Sequence, residues 1–397
     1  MEFSSLLNRF SEPETLKMAK LARALRAEGH DITDLSLGEP DFNTPDHIKQ
    51  AAKAAVDANY SHYTPVSGYL DLREAVCTKL KRDNGLIFAP EQIVVSTGAK
   101  QSIANVVLAL VDQGDEVIIP TPYWVTYSAL VTLAGGVPVL IKTRIEDGFK
   151  LIPEVLADHI TPRTKLFMFS SPCNPSGAVY TRDELANLVE VFVQHPQINI
   201  LSDEIYEYIR FEGEHESIAQ FENIKDRTVV INGLSKGYAM TGWRVGYMAG
   251  PLELAKACDK LQGQFTSATN SIAQRAAIEA LLGDMKPTQD MVTAFHARRT
   301  HILNGLQQIP NLRCHEPSGA FYVFPDVSAY FGKCTSDGSI ISDSNALCMY
   351  LLNSAHVSTV TGSAFGEPNC IRLSFANSLE NIEKGIGRIR EAMALLH

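Results

Sequence analysis

The sequence predicts an α/β fold, with a large domain built on a mostly parallel β-sheet between two layers of helices and a smaller α+β domain after it. Three observations support this prediction. Between residues 92 and 231, short apolar runs rich in β-branched residues alternate with helical stretches. After residue 249 the chain changes to long helical stretches with few strands. Its 397 residues are also enough for more than one domain.

The N-terminal part is predicted to be mainly helical. The spacing of apolar residues predicts helices over residues 14–28, 45–58 and 70–81. A short strand is predicted over residues 33–37, directly before the segment GEPDF.

The strands of the large sheet follow. They are predicted over residues 92–95, 115–120, 137–142, 165–170, 198–201 and 228–231, with another apolar run at 245–249. Most of them end in a turn that carries polar, glycine or proline residues. In open α/β sheets, ligands bind beyond the carboxyl ends of the strands. These turns are therefore where a functional site is expected.

The C-terminal third is predicted to hold helices over 252–282 and 288–308, strands over 319–324, 357–360 and 371–375, and a final amphipathic helix. We predict three parts: an N-terminal segment (1–44) that packs with the small domain, a large domain (45–285) that carries the site expected at the strand ends, and a small C-terminal domain (286–397).

Composition narrows the class of protein. A formal net charge of -10 argues against a nucleic-acid binder or an anionic-membrane binder. No apolar stretch approaches the length of a membrane span, and the N-terminus lacks a signal-peptide pattern. The seven cysteines form no CxxC pair, which favours reduced thiols in a cytoplasmic protein.

Lys236 lies in a turn rich in glycine and aromatic residues, residues 232–247. A lysine in an apolar pocket near other cations has its ammonium form disfavoured, so its amine is available as a nucleophile. Ser235 and Arg244 flank it and offer a hydroxyl and a guanidinium to a single anion. Taken alone, each of these residues is more simply explained by a solvated loop or a surface ion pair.

Two earlier strand ends offer a phosphate cradle and a flat surface. Gly98, Ala99 and Lys100 open a helix, whose free N–H groups and positive end favour a phosphate, although a glycine here also serves an ordinary tight turn. Trp124 follows the next strand and presents an aromatic face for a planar ring, although tryptophan is more often a core residue.

Two later strand ends offer polar groups. Asn174 lies in a turn, and Asp203 ends a strand where it serves equally well as a helix N-cap or as the partner of a pyridinium nitrogen. Tyr206 follows one helical turn later and offers a phenol. Together with the cradle, the ring platform and Lys236, these groups are the contacts that pyridoxal phosphate requires.

The chain resembles, over nearly its whole length, the fold-type I pyridoxal-phosphate aminotransferases of the class I/II superfamily. The most specific match is Ser235-Lys236-x-x-x-Met240-x-Gly242-x-Arg244-x-Gly246, which is similar to the family's Schiff-base lysine signature. Supporting segments are LGEPDF at 37–42, YTP at 63–65, NPSG at 174–177, DEIY at 203–206 and RLSF at 372–375. Ser176 stands where the family usually has threonine. The resemblance implies the fold-type I architecture, with a seven-stranded sheet.

The resemblance also implies roles for individual residues. Lys236 would form the Schiff base with pyridoxal 5'-phosphate and, once released, shuttle the proton. The other implied cofactor contacts are Asp203 at the pyridine nitrogen, Asn174 and Tyr206 at the phenolic oxygen, Trp124 against the ring, and Ser235, Arg244, Gly98, Ala99 and Lys100 around the phosphate. Tyr63 would reach the phosphate of a neighbouring subunit, which implies a homodimer with shared active sites. Arg372 would bind the substrate α-carboxylate, with Gly38, Trp124 and Asn174 beside it.

Substrate specificity depends on fewer residues. The segment 98–101 resembles the bacterial-type aspartate aminotransferase subgroup, in which the lysine at the position of Lys100 binds the distal carboxylate. A surface lysine explains Lys100 equally well. The subgroup also uses a Ser-x-Thr pair near the N-terminus; here Thr15 matches, but Pro13 replaces the serine. We predict transfer of the amino group from L-aspartate to 2-oxoglutarate.

Several alternatives remain open. An aminotransferase for aromatic or other neutral amino acids, or for prephenate, fits the same motifs, as does a lyase or decarboxylase that uses the same cofactor. A regulatory cofactor-binding protein is disfavoured because the acidic chain has no spare length for a DNA-binding segment. The histidines lack metal-ligand spacing, and no GxGxxG follows the first strand, so a metal site and a nicotinamide enzyme are both disfavoured.

Overall fold

The computed structural model of the chain describes residues 1, 3–10 and 12–397. Its α-helices are α1 (Glu14–Ala27), α2 (Asp46–Asp57), α3 (Leu70–Asn84), α4 (Ala99–Leu110), α5 (Thr126–Ala134), α6 (Pro153–Asp158), α7 (Arg182–Val193), α8 (Leu252–Phe265), α9 (Ser271–Leu282), α10 (Lys286–Leu306), α11 (Ser344–Ala355) and α12 (Leu379–Ala394). Its strands are β1 (Thr33–Asp34), β2 (Ile93–Ser96), β3 (Glu116–Thr121), β4 (Val137–Lys142), β5 (Thr164–Ser170), β6 (Asn199–Asp203), β7 (Thr228–Gly233), β8 (Gly246–Ala249), β9 (Tyr322–Val323), β10 (Val357–Ser358), β11 (Val360–Thr361) and β12 (Ile371–Ser374).

The large sheet has seven strands in the order β2-β8-β7-β6-β5-β3-β4. Strand β8 is antiparallel to β2 and β7. The pairs β3–β4, β3–β5, β5–β6 and β6–β7 are parallel. Parallel strands need crossover connections, and the intervening helices supply them. The predicted mostly parallel, seven-stranded sheet is therefore confirmed.

Helices cover both faces of this sheet, as two neighbouring residues of β6 show. Leu201 packs in an apolar cluster with residues of α4, α5 and α8. Ile200, which points to the opposite face, packs in a cluster with residues of α6 and α7. Successive strand residues point to opposite faces, so a strand with apolar residues at both positions is buried on both sides. This arrangement leaves the carboxyl ends of the strands as the place where polar side chains gather.

A second core lies under two small sheets. One has the order β11-β12-β9 with antiparallel pairs, and the other pairs β1 with β10 in parallel. Residues of α10, α11 and α12 form this core, and α1 adds Met18 and Ala22 to it. The N-terminal helix therefore packs against the C-terminal part of the chain, where it reaches the edge of the cavity described below.

Four predicted elements differ from the structure. The strand predicted over 319–324 is only the two residues of β9, Tyr322–Val323. The helix predicted over 252–282 is divided into α8 and α9, because Asn270 caps α9 by accepting a hydrogen bond from Ala273 N at 2.8 Å. The strand predicted over 357–360 is two short strands that pair with different partners. The strand predicted over 33–37 ends at Asp34, and Ser36 uses its carbonyl oxygen to accept a hydrogen bond from Arg372 at 2.7 Å. In the part of the chain that the structure describes, none of the helices is long and apolar enough to cross a membrane.

Candidate active site

A cavity of about 340 Å³ lies between the carboxyl ends of the large-sheet strands and the strands β9 and β12. Of the residues singled out from the sequence, it is lined by Thr15, Gly38, Ala99, Lys100, Trp124, Asn174, Asp203, Tyr206, Ser235, Lys236, Arg244 and Arg372. Gly98 lies beside the cavity and Tyr63 lies outside it, fully exposed. The structure thus brings together groups from eight separate segments of the chain.

Lys236 occupies the loop between β7 and β8 and is half-buried in the cavity wall. Its ammonium donates a hydrogen bond to the carbonyl oxygen of Gly38. Burial lowers the pKa of Lys236 from 10.5 to about 8, and the nearby guanidinium of Arg372 lowers it further in the same direction. At this pKa about a tenth of Lys236 is the neutral amine at pH 7 and about half at pH 8, and the neutral amine is the form that acts as nucleophile and base.

Asp203 ends β6 and is buried at the bottom of the cavity. It accepts hydrogen bonds from the hydroxyl of Tyr127 at 2.6 Å and from Ile205 N at 3.3 Å. Burial raises the pKa of Asp203 to about 6, although the hydrogen bond from Tyr127 acts in the opposite direction. A cationic N–H group placed against this carboxylate would compensate its charge, so the site is suited to a protonated ring nitrogen.

Sequence reasoning missed Tyr127, which is fully buried and lines the cavity. It lies three residues after Trp124, and their rings meet edge to face at 5.6 Å. Trp124 precedes α5 and Tyr127 lies in its first turn, where Tyr127 N donates to Trp124 O at 3.0 Å. The spacing of three residues at this turn is the feature of the sequence that points to Tyr127.

The start of α4 forms a cradle for an anion. Gly98 has φ +84°, and a Cβ there would lie 2.4 Å from Arg244 Nη2, so only glycine admits the guanidinium. Across from it, a Cβ at Gly246 would lie 2.2 Å from Ala99 N. The first N–H groups of α4, the guanidinium of Arg244 and the hydroxyl of Ser235 therefore surround one small space of positive potential.

Arg372 is 2% exposed and held on several sides. Its Nη1 donates to Asn174 Oδ1 at 3.0 Å, and its Nη2 donates to Ser36 O at 2.7 Å. Its guanidinium lies 4.4 Å from the ring centroid of Tyr322 and 5.0 Å from that of Phe365. Its Nε is buried and has no hydrogen-bond partner among the residues that the structure describes. A buried donor without a partner is costly, so this arginine is suited to a carboxylate ligand.

Lys100 and Thr15 also line the cavity, and Lys100 is exposed. The ammonium of Lys100 is 5.0 Å from the ring centroid of Trp124. Partial burial lowers the pKa of Lys100, and the charge of Arg244 acts in the same direction. Thr15 lies in the first turn of α1, whose N-cap Pro13 makes no side-chain cap hydrogen bond. Lys100 and Arg372 give the cavity two cationic groups in addition to the anion cradle, which favours ligands with more than one negative charge.

Comparison with known proteins agrees with this geometry. The family model for aminotransferase class I and II matches residues 30–389. An aspartate/prephenate aminotransferase of Cereibacter sphaeroides is 46% identical over 389 residues, which cover 98% of this chain and 97% of the relative. An aspartate aminotransferase of Geobacillus stearothermophilus is 44% identical over 384 residues, which cover 96% and 95%.

Solved structures show the same likeness. The aspartate aminotransferase of Rhizobium meliloti superposes with a TM-score of 0.97 at 42% identity, with all of both chains covered. The aspartate aminotransferase of Thermus thermophilus, solved with maleate, superposes with a TM-score of 0.92 at 38% identity, over 99% of this chain and 100% of that one. The chain belongs to the aminotransferase class I and II family.

Proposed function

We propose that this protein is a pyridoxal-phosphate-dependent aspartate aminotransferase, which transfers the amino group of L-aspartate to 2-oxoglutarate and gives oxaloacetate and L-glutamate. The observation that carries the proposal is the position of Lys236. Its amine, with a pKa of about 8, shares one cavity with the carboxylate of Asp203 and with Arg372. These are the base, the ring anchor and the carboxylate receptor that transamination needs.

The donor set of the cavity fits the cofactor. Asp203 would hold the pyridine N–H, Trp124 would stack on the ring, and Tyr206 with Asn174 would hold the phenolic oxygen. The phosphate would be held by Ser235, Arg244 and the N–H groups of Ala99 and Lys100, in the cradle that Gly98 keeps open. The buried, uncompensated carboxylate of Asp203 is the observation that favours a cationic ring over a neutral ligand.

The residues of this chain have distinct tasks in the proposed reaction. When bound, the cofactor supplies an electron sink for the electrons of the substrate Cα–H bond. Lys236 Nζ would take the proton from the substrate Cα and pass it to the cofactor carbon that keeps the amino nitrogen, so the substrate leaves as the 2-oxo acid; a pKa of about 8 suits a group that must both accept and donate that proton. Arg372 binds the α-carboxylate and orients the Cα–H bond toward this amine.

Lys100 and Thr15 support the choice of a dicarboxylic substrate. Lys100 lines the cavity and is exposed, so its ammonium is available to the distal carboxylate of a bound aspartate. Relatives named aspartate aminotransferase, and one of them solved with maleate, a dicarboxylate, support the same choice. Pro13 lacks the hydroxyl of the subgroup's serine, so Lys100 and Thr15 are the remaining donors for that carboxylate.

A panel of amino acids tests the substrate. With cofactor bound, aspartate and glutamate are expected to convert the visible absorbance to that of the amino form of the cofactor, faster than alanine or phenylalanine. Lys100→Met is expected to raise KM for aspartate about 10–100-fold, the loss of one charge-assisted contact, and to leave the reaction with alanine nearly unchanged. Conversion by phenylalanine or alanine without conversion by aspartate would refute the dicarboxylate choice.

Prephenate is a second candidate amino acceptor. It also carries two carboxylates, and several relatives are named aspartate/prephenate aminotransferases. The same assay, run with glutamate or aspartate as donor and prephenate as acceptor, decides between a dedicated and a dual enzyme. Turnover with 2-oxoglutarate alone would restrict the protein to the first activity.

We also propose that the enzyme is a cytoplasmic homodimer with shared active sites, in which residues 1–44 pack with a small domain (286–397) against a large domain (45–285). Tyr63 is fully exposed and outside its own cavity, which supports a contact with a partner's phosphate. All seven cysteines are unpaired, as in a reducing compartment. Sedimentation of the wild-type protein tests whether it is a dimer. Tyr63→Ala is expected to bind the cofactor more weakly if the active site is shared. A fully active monomer would refute the shared site.

A further inference from the structure

Tyr322 contacts two residues on separate parts of the cavity wall, Arg372 and Tyr206. It lies on β9, is completely buried and lines the cavity. Its hydroxyl is 2.9 Å from the hydroxyl of Tyr206, and its ring lies 4.4 Å below the guanidinium of Arg372. A Cβ built on Gly38 would lie 3.2 Å from the same hydroxyl, and the carbonyl oxygen of Gly38 receives the ammonium of Lys236.

We propose that Tyr322 is a positioning residue that couples the carboxylate-binding arginine, Arg372, to the hydroxyl of Tyr206. The proposal rests on the proposed aminotransferase function. Tyr322 acts through its two neighbours: its hydroxyl sets the direction and strength of the hydrogen bond that Tyr206 donates, and its ring holds the guanidinium of Arg372 in place.

The direction of the hydrogen bond follows from counting donors. Each phenol has one proton to donate. When Tyr206 donates its proton to an anionic ring oxygen in the cavity, its own oxygen is left to accept, and Tyr322 must then be the donor. A hydroxyl that accepts a hydrogen bond becomes a better donor, since hydrogen bonds in a chain polarise one another. Tyr322 therefore strengthens the bond from Tyr206 to the anion.

Both phenols stay protonated, as this arrangement requires. Burial raises the pKa of Tyr206 and of Tyr322 above the ordinary value of 10. The charged groups that face the pair are the carboxylates of Asp203 and Glu39, the guanidinium of Arg372, and the ammonium of Lys236, which lies 5.7 Å from the ring centroid of Tyr206.

The backbone explains why one residue reaches both partners. Strand β9 pairs with β12 in antiparallel register, with Tyr322 opposite Ser374. Arg372 is two residues from Ser374, so it lies on the same face of the sheet as a diagonal neighbour of Tyr322. The aromatic face then meets the guanidinium, while the hydroxyl extends past it to Tyr206.

The test uses the holoenzyme with pyridoxal phosphate and aspartate. Tyr322→Phe keeps the ring and removes the hydroxyl. We expect kcat to fall about 5–10-fold, the effect of one hydrogen bond, with KM for aspartate changed less than about twofold. Weaker donation to the ring oxygen stabilises its anion less, so the pH midpoint of the visible absorbance is expected to rise by about half a unit to one unit. Tyr322→Leu, which also removes the ring, is expected to raise KM for aspartate about 10-fold.

A double variant separates coupling from a purely structural role. If Tyr322 acts through Tyr206, Tyr206→Phe/Tyr322→Phe will show the absorbance midpoint of Tyr206→Phe alone. Tyr330→Phe is the matched control, because its hydroxyl donates to Pro310 O at 2.6 Å in the same part of the chain but outside the cavity. It is expected to leave kcat and the midpoint unchanged.

Failure of the proposed function and failure of the proposed role of Tyr322 give different experimental results. A wild-type protein that binds no pyridoxal phosphate and transaminates no amino acid would defeat the proposed function. A wild-type protein that works, with a Tyr322→Phe variant whose midpoint equals that of wild type or whose effect adds fully to that of Tyr206→Phe, would overturn the role of Tyr322 alone.

Discussion

Two lysines enclosed by the fold have opposite surroundings. Lys79, on α3, is 1% exposed, forms an ion pair with Glu207 and donates to Asn84 Oδ1 at 2.7 Å. Lys236, in the cavity wall, has the carbonyl oxygen of Gly38 as its hydrogen-bond acceptor and faces the guanidinium of Arg372. The charge of Lys79 is balanced by the carboxylate of Glu207, which is in direct contact with it. Lys236 is left with a lowered pKa, which is what a catalytic amine needs.

Two successive acidic residues, Asp203 and Glu204, also differ in whether neighbouring groups compensate their charge. Glu204 accepts hydrogen bonds from Ser202 Oγ at 2.9 Å, Ser217 Oγ at 2.6 Å and His215 Nε2 at 2.9 Å. Its neighbour Asp203 points into the cavity and has a pKa raised to about 6. Hydrogen bonds therefore hold the carboxylate of Glu204 and fix this segment of the chain. The carboxylate of Asp203 faces the cavity, where it can pair with a cationic ligand.

The largest effect is expected for Lys236→Ala. Without the amine there is no base at the substrate Cα, so turnover is expected to fall at least about 10⁴-fold. The visible absorbance that the proposed covalent bond between Lys236 and the cofactor would give should disappear as well. Steady-state assay and absorbance measure the two effects, with the exposed Lys286→Ala as control. A variant that kept both properties would contradict the assignment of the site.

Lys79→Met is expected to affect stability rather than chemistry. It leaves Glu207 buried without its cation, which typically costs about 3–5 kcal/mol. Urea denaturation at fixed protein concentration measures this loss. The double variant Lys79→Met/Glu207→Leu should recover much of it, since no charge is then left unpaired. Equal stability of the single variant and wild type would show that the ion pair contributes nothing.

The contrast between these lysines shows what the sequence can and cannot predict. Lys236 could be found because it lies at a strand end in a motif with Ser235 and Arg244. Nothing in the sequence distinguishes Lys79 from a surface lysine of an amphipathic helix, because its partner Glu207 is distant in the chain and meets it only after packing.

The cavity, too, has features that the sequence predicts and features that it does not. The large sheet, its strand ends and their polar residues follow from periodicity, which is a local property. Tyr322 lies in a segment that alternates like any buried strand, and its hydroxyl gains a role only through pairing of β9 with β12. Short strands such as β1 and β10, each two residues long, likewise depend on pairing between distant segments rather than on local preference.

The burial of Lys236 also makes the stability of the protein depend on pH. In the cofactor-free protein the pKa of Lys236 falls from 10.5 unfolded to about 8 folded. The unfolded state therefore binds more protons between pH 8 and 10.5, so this lysine's destabilisation, on the order of 3 kcal/mol below pH 8, is lost as pH rises through that window. Lys236→Met should be more stable than wild type at pH 7, with the gain shrinking toward pH 10.5. A gain independent of pH would exclude this cause.

Tyr127→Phe tests the cavity side of the chain segment that holds Asp203 and Glu204. It removes the 2.6 Å hydrogen bond to Asp203, so the pKa of Asp203 should rise further and its anion should hold the ring nitrogen less well. The affinity for pyridoxal phosphate is expected to fall about 10-fold. Tyr123→Phe, which loses a hydrogen bond from the tyrosine hydroxyl to Ser128 Oγ at 2.9 Å, is the control. Equal affinities of the two variants would mean that Tyr127 has no special role.

The smallest effect is expected at a third lysine. Lys286 forms an ion pair with Asp290 one turn along α10, and their side chains are 66% and 61% exposed. Water screens this pair, so Lys286→Met should change the free energy of unfolding by no more than about 0.5 kcal/mol, less still at high salt. Removal of an ion pair is therefore costly at Lys79 and nearly free at Lys286, although both pairs join the same two chemical groups. If urea denaturation gave similar losses for both variants, burial would not be what separates the structural lysine from the solvated one, and the account of Lys236 as a destabilised amine would lose its physical basis.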